Sequence, residues 1–118
     1  MATILIIESD LSFADQIHQK LFELKTLQID TTPIHTTSLQ GALVLLKEKK
    51  IDLIITNLFL SDCIGPEIII KLNEGVTTIP ILFCGEKIDE SLAEAAIHSG
   101  AQDFFDIKKN SNQVLARL

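Results

Sequence analysis

Apolar residues gather in four short runs along the chain: TILII (3–7), IDLIIT (51–56), IPILFC (79–84) and DFFDI (103–107). The first three are rich in β-branched residues and do not alternate with polar ones, which is how strands buried on both faces read. A further candidate, IDTTPIHTT (29–37), is threonine-rich and interrupted by Pro33. Proline has no N–H for a ladder, so this strand is expected at an edge. Between the runs the period becomes helical. Phe13, Ile17, Leu21 and Leu24 form one stripe, with Asp15, Gln19, Lys20 and Glu23 mostly off it. Ser38 is the cap candidate of a second helix with Leu39, Ala42, Leu43 and Leu46 as its core stripe. Gly65 and Pro66 precede EIIIKL, and proline suits a first helical turn. Asp89 can cap ESLAEAAIHSG, in which Leu92, Ala95 and Ala96 are expected to face inward and Gly100 to end the helix. NSNQVLARL starts a last helix of about two turns, where about three are usual.

Strand and helix thus alternate five times, which implies a parallel sheet with helices on both faces. Right-handed crossovers narrow the topologies. The expected fold is α/β: a flavodoxin-like (βα)5 doubly wound parallel sheet of strand order 2-1-3-4-5, with a last helix that is short or truncated.

The 118 residues suit one domain, and 47% of them are hydrophobic, enough for a core without staples. No apolar run nears the roughly 20 residues that cross a membrane. MATILIIESD turns acidic after a short apolar stretch, unlike a signal peptide, so a soluble cytoplasmic protein is expected. The net charge of −6, with Lys and Arg scattered, argues against direct nucleic-acid binding. Cys63 and Cys84 have no metal-ligand spacing and are expected as reduced thiols, Cys84 within a strand. His18, His35 and His98 share no ligand spacing and are expected at the surface.

In open parallel sheets, ligands bind at the carboxyl ends of the strands. Here those ends carry Glu8-Ser9-Asp10, then Asn57, Gly85-Glu86 and Asp106-Ile107-Lys108. Neither GxGxxG nor a P-loop run occurs, and no nucleophile–base pattern can be argued from spacing.

Over essentially its whole length the chain resembles a response-regulator receiver domain. ILIIESD is similar to the family's first strand and acidic pair, and DLIITNLFLSDCIGPEI to its phosphoacceptor segment, with Gly65 eight residues after Asn57. TIPILFCG resembles its fourth strand and AIHSGAQDFFDIKK its Gly-Ala turn into the fifth. The resemblance implies a carboxylate nucleophile, an acidic pair holding Mg2+, a lysine that pairs with phosphoryl oxygens, and a Ser or Thr that reads the phosphorylated state.

This sequence departs from that pattern at nearly every point. Asn57 stands at the phosphoacceptor position, Gly85 at the Ser/Thr switch and Ile107 at the lysine, with Lys108 one step along and on the opposite face. The acidic pair becomes Glu8 and Ser9; Asp10 is acidic but one place late. Glu8 is left as a weak or vestigial metal ligand, and Mg2+ binding is expected to be weak at best. Phe104 takes the aromatic switch position.

The resulting expectation is a receiver-like module, residues 1–118 of a longer protein with a C-terminal output domain, that is not an enzyme and acts by phosphorylation-independent protein–protein contacts. Residues 90–118, the family's usual partner face, are the expected surface, for a partner, an output domain or a homodimer. The alternatives are an active receiver phosphorylated at Asp62, Glu8 or Asp10, and a small-ligand-binding domain using the emptied crevice. Ile70, beside Ile68 and Ile69, and the pair Val44 and Leu45 fall off their core stripes and hint at a contact surface.

Overall fold

The apolar runs form the five strands of one sheet in a computed structural model that describes residues 2–25, 31–75, 78–86 and 88–106. In chain order the elements are β1 (Ala2–Ile7), α1 (Leu11–Lys25), β2 (Thr31–Thr36), α2 (Leu39–Glu48), β3 (Leu53–Thr56), α3 (Glu67–Gly75), β4 (Ile81–Gly85), α4 (Glu90–His98) and β5 (Asp103–Asp106). All strand pairs are parallel and the order is β2-β1-β3-β4-β5. This is the doubly wound, flavodoxin-like α/β sheet expected from the pattern. Pro33 lies in β2, at the sheet edge. Ile107, Lys108 and the expected helix in NSNQVLARL lie outside the described residues, as does the side chain of Leu24. Among the described residues, no helix is long and apolar enough to cross a membrane.

The lack of alternation in β1, β3 and β4 has a direct structural cause. Ile4 and Ile6 pack with Leu53, Ile55, Leu82, Cys84 and Phe105 beneath Phe13, Ile17 and Leu21 of α1. Leu5, Ile7, Ile54 and Phe83 point the other way, into Leu39, Ala42, Ile68, Ile69, Leu72 and Ala96. Each strand therefore buries both of its side-chain sets, at about 1.5–3 kcal/mol for each large aliphatic residue removed from water.

The helix faces need small corrections. On α4 the buried alanines are Ala93 and Ala96, whereas Ala95 is exposed. With nine residues, this helix shows the sheet only a narrow stripe, and Ala93 and Ala96, three apart, fill it. Leu43, Leu45 and Leu46 are partly buried against the core, so only Val44 of the expected outward pair is exposed. Ile70 does point outward, while Ile68 and Ile69 are fully buried.

Polar side chains hold the helix ends. The Ser38 hydroxyl accepts from Gly41 N–H at 3.0 Å, and the Asp62 carboxylate, reaching over from the loop after β3, accepts from Leu39 and Gln40 N–H at 2.9 Å each. With Ala42 N–H bonded to the Ser38 carbonyl, all four N–H groups of the first α2 turn have partners. Asp89 caps α4 through Ser91 N–H at 2.7 Å. At the other end, Gly100 has φ 121°, and a Cβ there would run into the Asn73 amide, which donates to the Ser99 carbonyl.

Two predictions follow from these ends. Gly100→Ala should cost more than about 1 kcal/mol, since it meets both a positive φ and a filled space; denaturant titration measures it. Asp62→Ala should cost about 0.5–2 kcal/mol at neutral pH, the usual range for a lost cap. The two backbone N–H groups hold the Asp62 carboxyl below its ordinary value of 3.8. Its contribution is therefore complete above pH 3.8 and fades as pH falls below it, so the wild-type and Asp62→Ala curves should converge in acid.

Candidate functional site

Parallel pairing brings the carboxyl ends of the strands together: Ile7 lies opposite Thr36 and Thr56, Thr56 opposite Phe83, and Gly85 opposite Asp106. The loops leaving these ends surround an open crevice of about 520 Å³ whose lining includes Asp10, Asn57, Phe59, Gly85 and Asp89. Glu8 lies beneath it, 1% exposed.

Glu8 and Asn57 are bonded to each other. The Asn57 Nδ2 donates to Glu8 Oε1 at 2.8 Å, and its Oδ1 accepts from Phe59 N–H at 3.2 Å. Turning the amide over would set two donors against each other at Phe59, so the network fixes its orientation. The other Glu8 oxygen accepts from Asp10 N–H at 3.2 Å. Burial pushes the Glu8 carboxyl above its ordinary 4.5, against the pull of the Asn57 and Asp10 hydrogen bonds. This group stabilises the fold most fully below pH 4.5, and that contribution is lost as pH rises through its raised value.

The other expected metal-site residues are engaged elsewhere. Asp10 Oδ1 accepts from Ser12 and Phe13 N–H at 2.9 and 3.2 Å, which makes Asp10 the cap of α1. Ser9 turns away from Glu8: its hydroxyl donates to the Thr37 carbonyl at 2.5 Å and accepts from Ser61 N–H at 3.0 Å. It thereby ties together the loops after β1, β2 and β3. Both Asp62 oxygens hold α2. Among the described residues, no three His, Cys, Asp or Glu side chains converge as a metal site. The donor set does not fit Mg2+, because Asn57 turns its amide N–H to Glu8 while Asp10 and Asp62 are spent on backbone N–H groups, which leaves too few carboxylate oxygens in one place.

At the end of β4, a Cβ on Gly85 would reach Ile88 at 3.5 Å, an ordinary contact, so a hydroxyl side chain would fit where none is present. Phe104 is partly buried in β5 and stacks on Phe83, with centroids 5.2 Å apart. Cys84 lines the crevice from within the sheet, and burial raises its thiol well above the ordinary range. It and Cys63 are both free thiols. Contrary to expectation, His18 and His35 are not fully exposed; they meet edge-on across α1 and β2, and His35 Nε2 lies 2.9 Å from the Glu8 carbonyl. His98 is exposed.

Two roles were not read from the sequence. The Ser9 clasp and the Asp62 cap join residues 22 or more positions apart, so no local pattern announces them. The exposed Phe59 and Ile64 had a visible signal, two apolar residues set in a polar loop, but it was not used.

The fold is similar to many solved structures. A two-component response regulator from Clostridium difficile superposes with TM-score 0.82 at 22% identity, covering 99% of this chain and 92% of that one. A response regulator from Chloroflexus aurantiacus gives 0.83 at 20%, covering 98% and 93%. The receiver domain of a signal transduction histidine kinase from Syntrophus aciditrophicus gives 0.78 at 24%, covering 99% and 86%. No curated protein matches the chain. The family model of the response regulator receiver domain matches residues 4–118, and this chain belongs to that family.

Proposed function

We propose that this receiver domain is a module of two-component signalling that does not accept a phosphoryl group and acts through protein contacts. The carrying observation is the bond from Asn57 Nδ2 to Glu8 Oε1, 2.8 Å long. An amide at the end of β3 is no nucleophile for an acyl phosphate. Here it also takes the place of the positive charge that a second carboxylate would require. Gly85, without a hydroxyl, removes the group that would read a phosphoryl oxygen.

The alternative phosphoacceptors have little in their favour. Glu8 is buried, Asp10 accepts from two N–H groups of α1, and Asp62 is spent on both oxygens at α2. A receiver switches by biasing two conformations, and a bias needs a differential contact. In this reading that contact comes from a protein partner or an attached output domain, in the cytoplasm, with no chemistry catalysed by the domain itself.

Intact mass after incubation with Mg2+ and acetyl phosphate tests the proposal. The natural protein should gain no phosphoryl group; a gain, mapped to any carboxylate, would end this reading. Asn57→Asp sharpens the test. It exchanges a hydrogen bond for two carboxylates in contact, so it should lose about 1–3 kcal/mol at pH 7. That is a drop of several degrees in Tm, smaller as pH is lowered, because protonation of either carboxyl relieves the repulsion. Mg2+ should restore part of the loss in the variant and leave the natural protein unchanged. An Asn57→Asp protein as stable as the natural one would remove the amide from its assigned role.

A further inference from the structure

Two histidines meet outside the strand-end crevice. His18 lies on α1 and His35 on the edge strand β2, and both are half-buried. Ile6, the register partner of His35, packs beneath α1, so His35 turns to the same helix. The two rings stand edge-on with centroids 6.1 Å apart.

The nitrogens of this pair can be accounted for one by one. His35 Nε2 lies 2.9 Å from the Glu8 carbonyl. A carbonyl only accepts, so this nitrogen carries the proton, and in the neutral ring Nδ1 keeps its lone pair. Among the described residues, neither that nitrogen nor either nitrogen of His18 has a hydrogen-bond partner. A histidine that holds a metal ion almost always donates its other N–H to a carbonyl or carboxylate, which fixes the tautomer and the ring. His35 already has that arrangement.

The spacing is close to what one ion needs. Two imidazoles on a tetrahedral centre, each nitrogen about 2.0–2.1 Å from the ion, have ring centroids roughly 5 Å apart. One ring must also turn from the edge-on position for both nitrogens to face the ion. His18 is the ring to do so, because no hydrogen bond among the described residues holds it and the second side-chain torsion of histidine is broad. It opens on a hollow of about 700 Å³ beside α1, lined also by Gln16 and Gln19, which admits water and an ion. Imidazole suits Zn2+, Cu2+ and Ni2+, whereas Mg2+ and Ca2+ seek oxygen. Among the described residues no third His, Cys, Asp or Glu converges with the pair, so water completes the coordination. Two protein ligands make an exchangeable site, since a structural zinc has four.

We propose that His18 and His35 bind a divalent cation of the Zn2+ type, with water in the remaining positions. The ion ties α1 to the edge strand, one hydrogen bond away from Glu8. The site goes beyond the proposed function and does not depend on it, since neither histidine lines the crevice.

The test titrates the untagged, isotope-labelled protein with ZnCl2, and with MgCl2 in parallel, while the imidazole nitrogen signals are recorded. Zn2+ should bind saturably at one ion per chain, shift the His18 and His35 ring signals together and raise the Tm. Mg2+ should do none of this, and His98, exposed on α4, should not follow. His18→Gln leaves the contact of His35 with Glu8 in place. It should weaken Zn2+ binding by at least the roughly tenfold that loss of an outer-shell group costs. His35→Gln should do the same; if that variant loses its amide dispersion, His18→Gln decides alone. Equal affinity of His18→Gln and the natural protein would overturn the proposal. So would the absence of any ring shift at millimolar Zn2+, or binding that Cys63→Ser abolishes, which would assign the ion to a thiol. Sedimentation showing one ion shared by two copies would also reject a site built within one chain.

Discussion

A buried carboxylate is the constraint around which the rest of the site is arranged. Glu8 is 1% exposed just past the end of β1, whose last four residues are apolar and buried. A charge there is costly unless hydrogen bonds or an opposite charge meet it. Among the described residues its partners are the Asn57 amide and the backbone N–H groups of Asp10 and Ser9. These donors compensate the burial only in part, since the net effect still raises the Glu8 carboxyl above its ordinary value. The amide at position 57 thus gives the buried Glu8 carboxyl a donor that a carboxylate there would not. An aspartate in its place would set two carboxylates together and demand a cation to separate them.

The same economy of donors and acceptors runs through the surrounding loops. Ser9 bridges the Thr37 carbonyl and Ser61 N–H, and Asp62 spans to α2, so the loops after β1, β2 and β3 form one bonded unit. None of these bonds is strong alone, at about 0.5–1.5 kcal/mol each. Together they favour one loop arrangement over others, because moving one loop breaks contacts of the next.

How much of this could be read from the chain depends on the distance over which each cause acts. The strands were legible because burial on both faces leaves an unmistakable run of apolar residues, and Pro33 marked its own edge. Ser38, Asp89 and Gly100 were legible because a helix cap is a local matter of a few residues. The face of α4 was missed at one residue: Ala95 and Ala93 have the same chemistry, and only the packing against the sheet distinguishes them. Asp62 was read as an alternative phosphoacceptor, whereas its hydrogen-bond partners are 23 and 22 positions away. The roles of Asn57 and Ser9 were anticipated as losses, of a nucleophile and of a metal ligand. What the sequence did not disclose is the set of bonds each makes, Asn57 with Glu8 and Phe59, and Ser9 with Thr37 and Ser61.

Those bonds also hold the loop after β3. Phe59 and Ile64 are 59% and 67% exposed there, although Phe59 lines the same crevice as Leu58, Phe83 and Ile88. Asn57 is bonded to Phe59 N–H, Ser9 to Ser61 N–H and Asp62 to the start of α2, while Gly65 N–H closes the loop on the Leu58 carbonyl. The exposed pair therefore sits on a loop bonded at several points, and Asn57 and Ser9, which depart from the family's pattern, supply two of them.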